Sequence, residues 1–207
     1  MISSRIKQTV RDVNDFPKPG IIFKDITPIL KDPELCSDIT KALALQLANL
    51  EIDVVAGIES RGFLFGPQLA QLLKVPFVPI RKAGKLPYKT IQESYDLEYG
   101  SAVIECHEDA LIRGQRVLIH DDLLATGGTV VAATKLIQQL GAELVGYSFL
   151  ISLDFLNGKA RLKPYSEQVF SLASYQKVQV SKDSFYPAAR YKNTANMAKA
   201  TNFNKNR

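Results

Sequence analysis

Five stretches of the chain are apolar at nearly every position: "IDVVAGI" (52–58), "PFVPI" (76–80), "RVLIH" (116–120), "ELVGYSFLISL" (143–153) and "QVFSLA" (168–173). Successive side chains of a strand point to opposite faces, so a run that is apolar at both parities needs cover on both sides. Segments of helical period separate the runs. Asp32 is placed to cap a helix with Pro33 at its first position, and Leu35, Ile39, Ala42, Leu43 and Leu47 then share one face. Further helices are predicted over about 62–73 and about 129–140, the second stopped by Gly141. The pattern predicts an α/β fold: an open, doubly wound, mainly parallel five-stranded sheet with helices on both faces. In such sheets ligands sit outside the carboxyl ends of the strands, so the loops there carry the most information.

Two stretches break the alternation. Residues 82–100, "KAGKLPYKTIQESYDLEYG", are too polar and too long for an ordinary connection and read as a flexible lid loop. Residues 177–207 are rich in Asn, Lys and Ala with little apolar periodicity. They read as a basic C-terminal extension to a domain over 1–176, or as a segment that docks through Phe185, Tyr186 and Tyr191.

Composition narrows the classes. Hydrophobic residues make up 46% and charged residues 23%, an ordinary globular balance, and no run approaches the ~18 apolar residues of a membrane span. The N-terminal "MISSRIKQTVRDV" has charges throughout and reads as an amphipathic helix rather than a signal peptide. Two cysteines, Cys36 and Cys106, stand in no metal or redox spacing, which predicts a reducing, cytoplasmic setting. The net charge of +5 is unevenly placed: residues 177–207 hold seven Lys/Arg and one acid, and residues 1–176 hold 19 bases and 20 acids. The body is therefore near neutral, which argues against a nucleic-acid-binding domain.

The densest chemistry is in "VLIHDDLLATGGT" (117–129). A strand ends in Asp121-Asp122, and a turn of small residues (Ala125, Thr126, Gly127, Gly128 and Thr129) leads into a helix. Small residues let backbone N–H groups converge on an anion, and the helix start adds its positive dipole end. No lysine follows, so this is not the G-x-x-x-x-G-K-[ST] nucleotide loop. Two acids beside a phosphate make sense as acceptors for the hydroxyls of a phosphorylated sugar. A solvated turn accounts for the acids alone but poorly for the acids together with the small residues.

The stretch resembles the 5-phosphoribosyl-1-pyrophosphate (PRPP) signature of the type I phosphoribosyltransferases. Four others, "DFPKPGIIFKDITPIL" (15–30), "GIESRGFLFG" (57–66), "RKAGKLP" (81–87) and "YDLEYG" (95–100), resemble the adenine branch of that family, and the likeness spans about residues 5–176 in one order. It implies the family fold with a lid and a small N-terminal hood, transfer of phosphoribose from PRPP to adenine with release of AMP and pyrophosphate, Mg²⁺ held through PRPP oxygens and water, and a homodimer.

The resemblance also implies site roles. Asp121 and Asp122 would hold ribose hydroxyls, and residues 125–129 the 5′-phosphate. Arg61 would pair with pyrophosphate beside a cis Glu59–Ser60 peptide. Arg81, Lys82 and Lys85 would offset charge on the leaving group, in the same site or the neighbour's. Glu98 would handle the purine proton. Phe23 and Leu123 would sandwich adenine, with backbone groups of Ile22 and Lys24 reading its amino edge and Leu153 completing the pocket. Taken alone, Glu98 reads as solvent-exposed, Phe23 as core and the basic cluster as a solvated face. Glu105 reads as part of a strand or its edge, His120 as packed under the site and His107 as part of an acidic surface turn. Two rivals share these features: a phosphoribosyltransferase for another purine, and a non-catalytic PRPP sensor whose basic tail binds nucleic acid.

Overall fold

All five apolar runs become strands of one sheet. In this computed structural model, which describes residues 1–96 and 100–177, the elements run α1 (Ile2–Thr9), β1 (Arg11–Asn14), β2 (Ile22–Asp25), α2 (Pro33–Gln46), β3 (Val54–Ile58), α3 (Gly66–Leu73) and β4 (Phe77–Lys82). They continue with β5 (Thr90–Asp96), β6 (Ser101–His107), β7 (Arg116–Leu124), α4 (Gly128–Gln139), β8 (Glu143–Leu153), α5 (Gly158–Leu162) and β9 (Val169–Tyr175). The sheet order is β5-β6-β4-β3-β7-β8-β9. The five predicted strands are its parallel part.

Strand parity sorts the core into two layers. Val54, Ala56, Ile58, Val117, Ile119, Tyr147 and Phe149 face α4, which buries Val130, Ala133, Leu136 and Ile137 against them. Val55, Leu118 and Leu150 face the other way, onto Ile6 of α1, Leu35, Ile39 and Leu43 of α2, and Leu69 of α3. Each fully buried Leu or Ile contributes about 1.5–3 kcal/mol, so both faces of the sheet are anchored. Asp32 caps α2 as predicted, accepting the Leu35 N–H at 2.9 Å. The helix expected over about 62–73 is divided into a short 3-10 turn over Arg61–Phe63 and α3.

The strand count is corrected from five to seven. Residues 82–100 are not one loop: β5 pairs antiparallel with β6 from Thr90↔His107 to Asp96↔Ser101, and β6 pairs with β4. Glu93 concealed the strand. It sits between Ile91 and Tyr95 on the covered face, where Lys135 and Gln139 of α4 donate to its carboxylate at 2.8 and 3.0 Å. His107, expected in a surface turn, ends β6 with its ring half-buried and edge-on to Tyr88 at 6.1 Å. The expected hood is the β1–β2 hairpin. Glu98, Tyr99 and residues 178–207 lie outside the described residues.

From β3 the chain moves to β4 on one side and later returns to β7 on the other. A crevice therefore opens outside the carboxyl ends of β3 and β7, the switch point where open α/β sheets bind ligands. Both chemistry-bearing loops leave from these two ends.

Candidate active site

β3 runs into the Glu59–Ser60 peptide, which is cis. The following turn lies directly on β7: a Cβ on Gly62 would stand 2.8 Å from the His120 carbonyl oxygen. Only glycine permits that approach, and it brings Arg61 to the acid pair. Arg61 Nε donates to Asp122 Oδ2 at 2.6 Å. Asp122 is 1% exposed, so the guanidinium partners a carboxylate that burial would otherwise make costly. The Asp122 N–H in turn donates to Asp121 Oδ1 at 2.8 Å. Asp121 is the half-buried member of the pair, and burial followed by the Asp122 charge pushes its pKa well above the usual carboxylate range.

A second carboxylate organises the opposite wall. Glu59 accepts from Arg81 Nε at 3.0 Å and from the Lys82 N–H at 3.1 Å, tying the end of β4 to that of β3. Arg81 also donates to the Lys85 carbonyl oxygen at 3.0 Å. Glu59, Ser60, Arg61, Lys82, Asp121 and Asp122 together line a polar cavity of about 170 Å³.

Beyond the acids, Gly127 takes φ +80° and is followed by the first turn of α4, where the Val131 N–H donates to the Gly127 carbonyl oxygen at 3.0 Å. The turn is braced from behind by α5, because a Cβ on Gly158 would stand only 2.2 Å from the Ala125 carbonyl oxygen. Thr126 is exposed and Thr129 half-exposed, so two hydroxyls at the start of a 12-residue helix can reach an anion. His120, under the acids, is fully buried, and burial lowers its pKa to about 4, which keeps it neutral.

The hood brings Phe23 over the site: the Arg61 guanidinium lies 5.4 Å from its ring centroid, and Phe16 packs edge-on at 5.2 Å. Ile22 is 53% exposed. The Lys24 ammonium is engaged elsewhere, with Asp12 at 2.6 Å and over the Tyr175 ring at 4.4 Å. Leu123 is half-buried against the layer that holds α1, α2 and α3. Leu153 stands apart from the acid cavity, lining another of about 240 Å³ with Leu124, Asp154, Gly158 and Lys159. Lys85 is exposed.

A strand-end turn carrying Arg61, paired acids and a small-residue helix start meet at one switch point, and comparison with known proteins agrees with that arrangement. A model of the phosphoribosyl transferase domain matches residues 26–188. The adenine phosphoribosyltransferase of Cytophaga hutchinsonii is 54% identical over 175 residues, covering 84% of this chain and 97% of that protein. The chain belongs to the adenine phosphoribosyltransferase family. The relative from Koribacter versatilis is 51% identical over 172 residues, 83% of this chain and 93% of its own. Among solved structures, the adenine phosphoribosyltransferase of Thermoanaerobacter pseudethanolicus superposes with a TM-score of 0.81 at 47% identity, covering 84% of this chain and 100% of that one. The Saccharomyces cerevisiae enzyme, solved with an imino-altritol bisphosphate and adenine, gives 0.78 at 42% identity, covering 83% and 98%. The family match runs past residue 177, into the segment that composition set apart.

Against that family frame, two residues gain roles that sequence reasoning did not assign. Glu59, within "GIESRGFLFG", fixes both Arg81 and Lys82. Phe16, in the "DFPKPG" stretch, supports the face of Phe23. Residue type does not signal these contacts: the Glu59 bonds span 22 and 23 positions, and the Phe16–Phe23 contact depends on how the β1–β2 connection folds back on β2.

Proposed function

We propose that this chain transfers the 5-phosphoribosyl group of PRPP to adenine, releasing AMP and pyrophosphate. The observation that carries the reading is the cavity shared by Asp121, Asp122, Arg61 and Lys82 at the switch point, beside the Gly127–Gly128 turn into α4. Half-buried Asp121 and its buried neighbour suit the ribose hydroxyls. The turn and its threonines suit the 5′-phosphate. As the bond from ribose C1 to the pyrophosphate oxygen breaks, charge grows on the leaving group, and Arg61, Arg81, Lys82 and Lys85 are the cations at hand. N9 of adenine then bonds to C1, and Glu98 takes up the purine proton. Phe23 and Leu123 hold the flat base, with Ile22 and Lys24 offering backbone groups and Leu153 a further apolar wall.

Magnesium fits as a companion of the substrate. No three His, Cys, Asp or Glu side chains converge as a metal site among the described residues, and Glu59 and Asp122 are each bonded to an arginine. Phosphate oxygens and water suit a hard cation there, with Asp121 the carboxylate nearest to hand. When bound, Mg²⁺ would neutralise pyrophosphate charge. The homodimer is supported by the family resemblance; sedimentation at assay concentration tests it. A cytoplasmic setting agrees with free Cys36 and Cys106 and with the finding that no helix among the described residues could cross a membrane.

The deciding experiment is AMP formation from adenine and PRPP with Mg²⁺, run beside guanine, hypoxanthine and xanthine. Turnover with adenine is expected. Activity confined to another purine would assign the site to that base, and binding of PRPP without turnover on any base would make the chain a sensor.

A further inference from the structure

Glu105 has no part in the reading above, and its surroundings set it apart from every other carboxylate among the described residues. It lies on β6 and is 2% exposed. Its Oε1 accepts the backbone N–H groups of Lys85 and Leu86 at 2.8 and 2.9 Å. Its Oε2 accepts from Thr90 Oγ1 at 3.3 Å and Gln92 Nε2 at 3.1 Å. Burial alone would raise its pKa, but backbone N–H groups of Leu86, Gly84 and Lys85 outweigh it, so the group stays ionised.

These donors belong to the turn that carries the basic cluster. Lys82 lines the acid cavity. Arg81 bridges from Glu59 to the Lys85 carbonyl oxygen. The turn is thus held from two sides: Glu59 fixes its start and Glu105 its far end, 20 positions on in sequence from Lys85. Because the Lys85 and Leu86 N–H groups are committed to Glu105, the turn can meet an anion with its lysine side chains but not with those two backbone donors.

We infer that Glu105 is a positioning residue for pyrophosphate: it locks the 83–86 turn so that Lys82 and Lys85 are held ready for the diphosphate of PRPP or the released product. This rests on the phosphoribosyl-transfer reading but not on which purine is used.

The test compares Glu105→Ala, Glu105→Gln and Glu105→Asp in the full chain. Alanine leaves two turn N–H groups without their acceptor. Glutamine keeps an oxygen for them, and aspartate is one methylene too short to reach. Alanine and aspartate are expected to raise the KM for PRPP and the Kd for pyrophosphate, measured by calorimetry, by about tenfold, the scale of one lost charge-assisted contact. The KM for adenine should stay within about twofold, and glutamine should stay within about threefold of wild type throughout. In a cycle with Lys85→Ala, the two losses should be less than additive, since both act through one turn. Equal rises in the KM for both substrates, a fall in melting temperature with pyrophosphate affinity unchanged, or full additivity with Lys85→Ala would each overturn the inference. If the alanine variant fails to fold, the aspartate and glutamine pair decides by the same readouts. A wild-type chain that forms no nucleotide with any purine defeats the phosphoribosyl-transfer reading, whereas an active wild type with an indifferent Glu105 defeats only this inference.

Discussion

Asp121 and Asp122 are neighbours in sequence but do different work. Asp122 is neutralised by Arg61 at 2.6 Å, and Asp121, with its raised pKa, is left to face the cavity. A carboxyl whose folded pKa lies above its unfolded value stabilises the fold below the unfolded pKa and loses that contribution as pH rises through the folded one. At neutral pH an ionised Asp121 therefore costs stability. Asp121→Asn should raise the melting temperature by about 2–4 °C, the shift that about 1 kcal/mol produces in a domain of this size, while PRPP affinity falls about tenfold. Thermal scans at pH 5 and pH 8 check the sign, because the gain should be larger at pH 8. The sequence made the pair conspicuous but could not separate its members, since their difference comes from Arg61, 61 positions away. Glu98 is the opposite case, legible only by family likeness. Glu98→Leu should cut kcat at least about a hundredfold, the usual worth of general acid–base help, with PRPP binding retained. Near-normal turnover would remove the proton role.

At the level of elements, the apolar runs declared the parallel strands because burial on both faces leaves no polar parity to confuse the period. The β5–β6 hairpin was hidden for the converse reason: Glu93 and Glu105 occupy covered positions, each satisfied by partners from other segments. Close packing of elements was equally invisible. α5 abuts the phosphate turn so tightly that Gly158 has no room for a methyl group, the obstacle being the Ala125 backbone carbonyl rather than a movable side chain. Gly158→Ala should therefore push the 125–129 turn out of place. The expected outcome is a rise of about tenfold in the KM for PRPP, from contacts misplaced by a fraction of an ångström, with the far-ultraviolet circular dichroism of the fold retained. If the KM for PRPP is unmoved, α5 does not set the geometry of the turn.

For the whole molecule, charge is the property that the fold does not explain. The sequence has a pI near 9.1, yet the excess comes from residues 177–207, with seven bases to one acid, while the remainder is close to neutral. The strands and helices among the described residues end at Tyr175, and the family match ends at residue 188. These two boundaries make a pair of truncations informative. A chain ending at residue 188 is expected to form AMP within about twofold of the full chain, because it keeps every family position. The same chain loses Arg190, Lys192, Lys199, Lys205 and Arg207, so its retention on a cation-exchange or heparin column should drop to lower salt, as expected when phosphate-like contacts are removed. A chain ending at residue 177 should behave alike if the 1–176 domain is self-sufficient. Loss of activity only in the shorter chain would place residues 178–188 within the catalytic unit, and loss in both would give the basic segment a part in turnover.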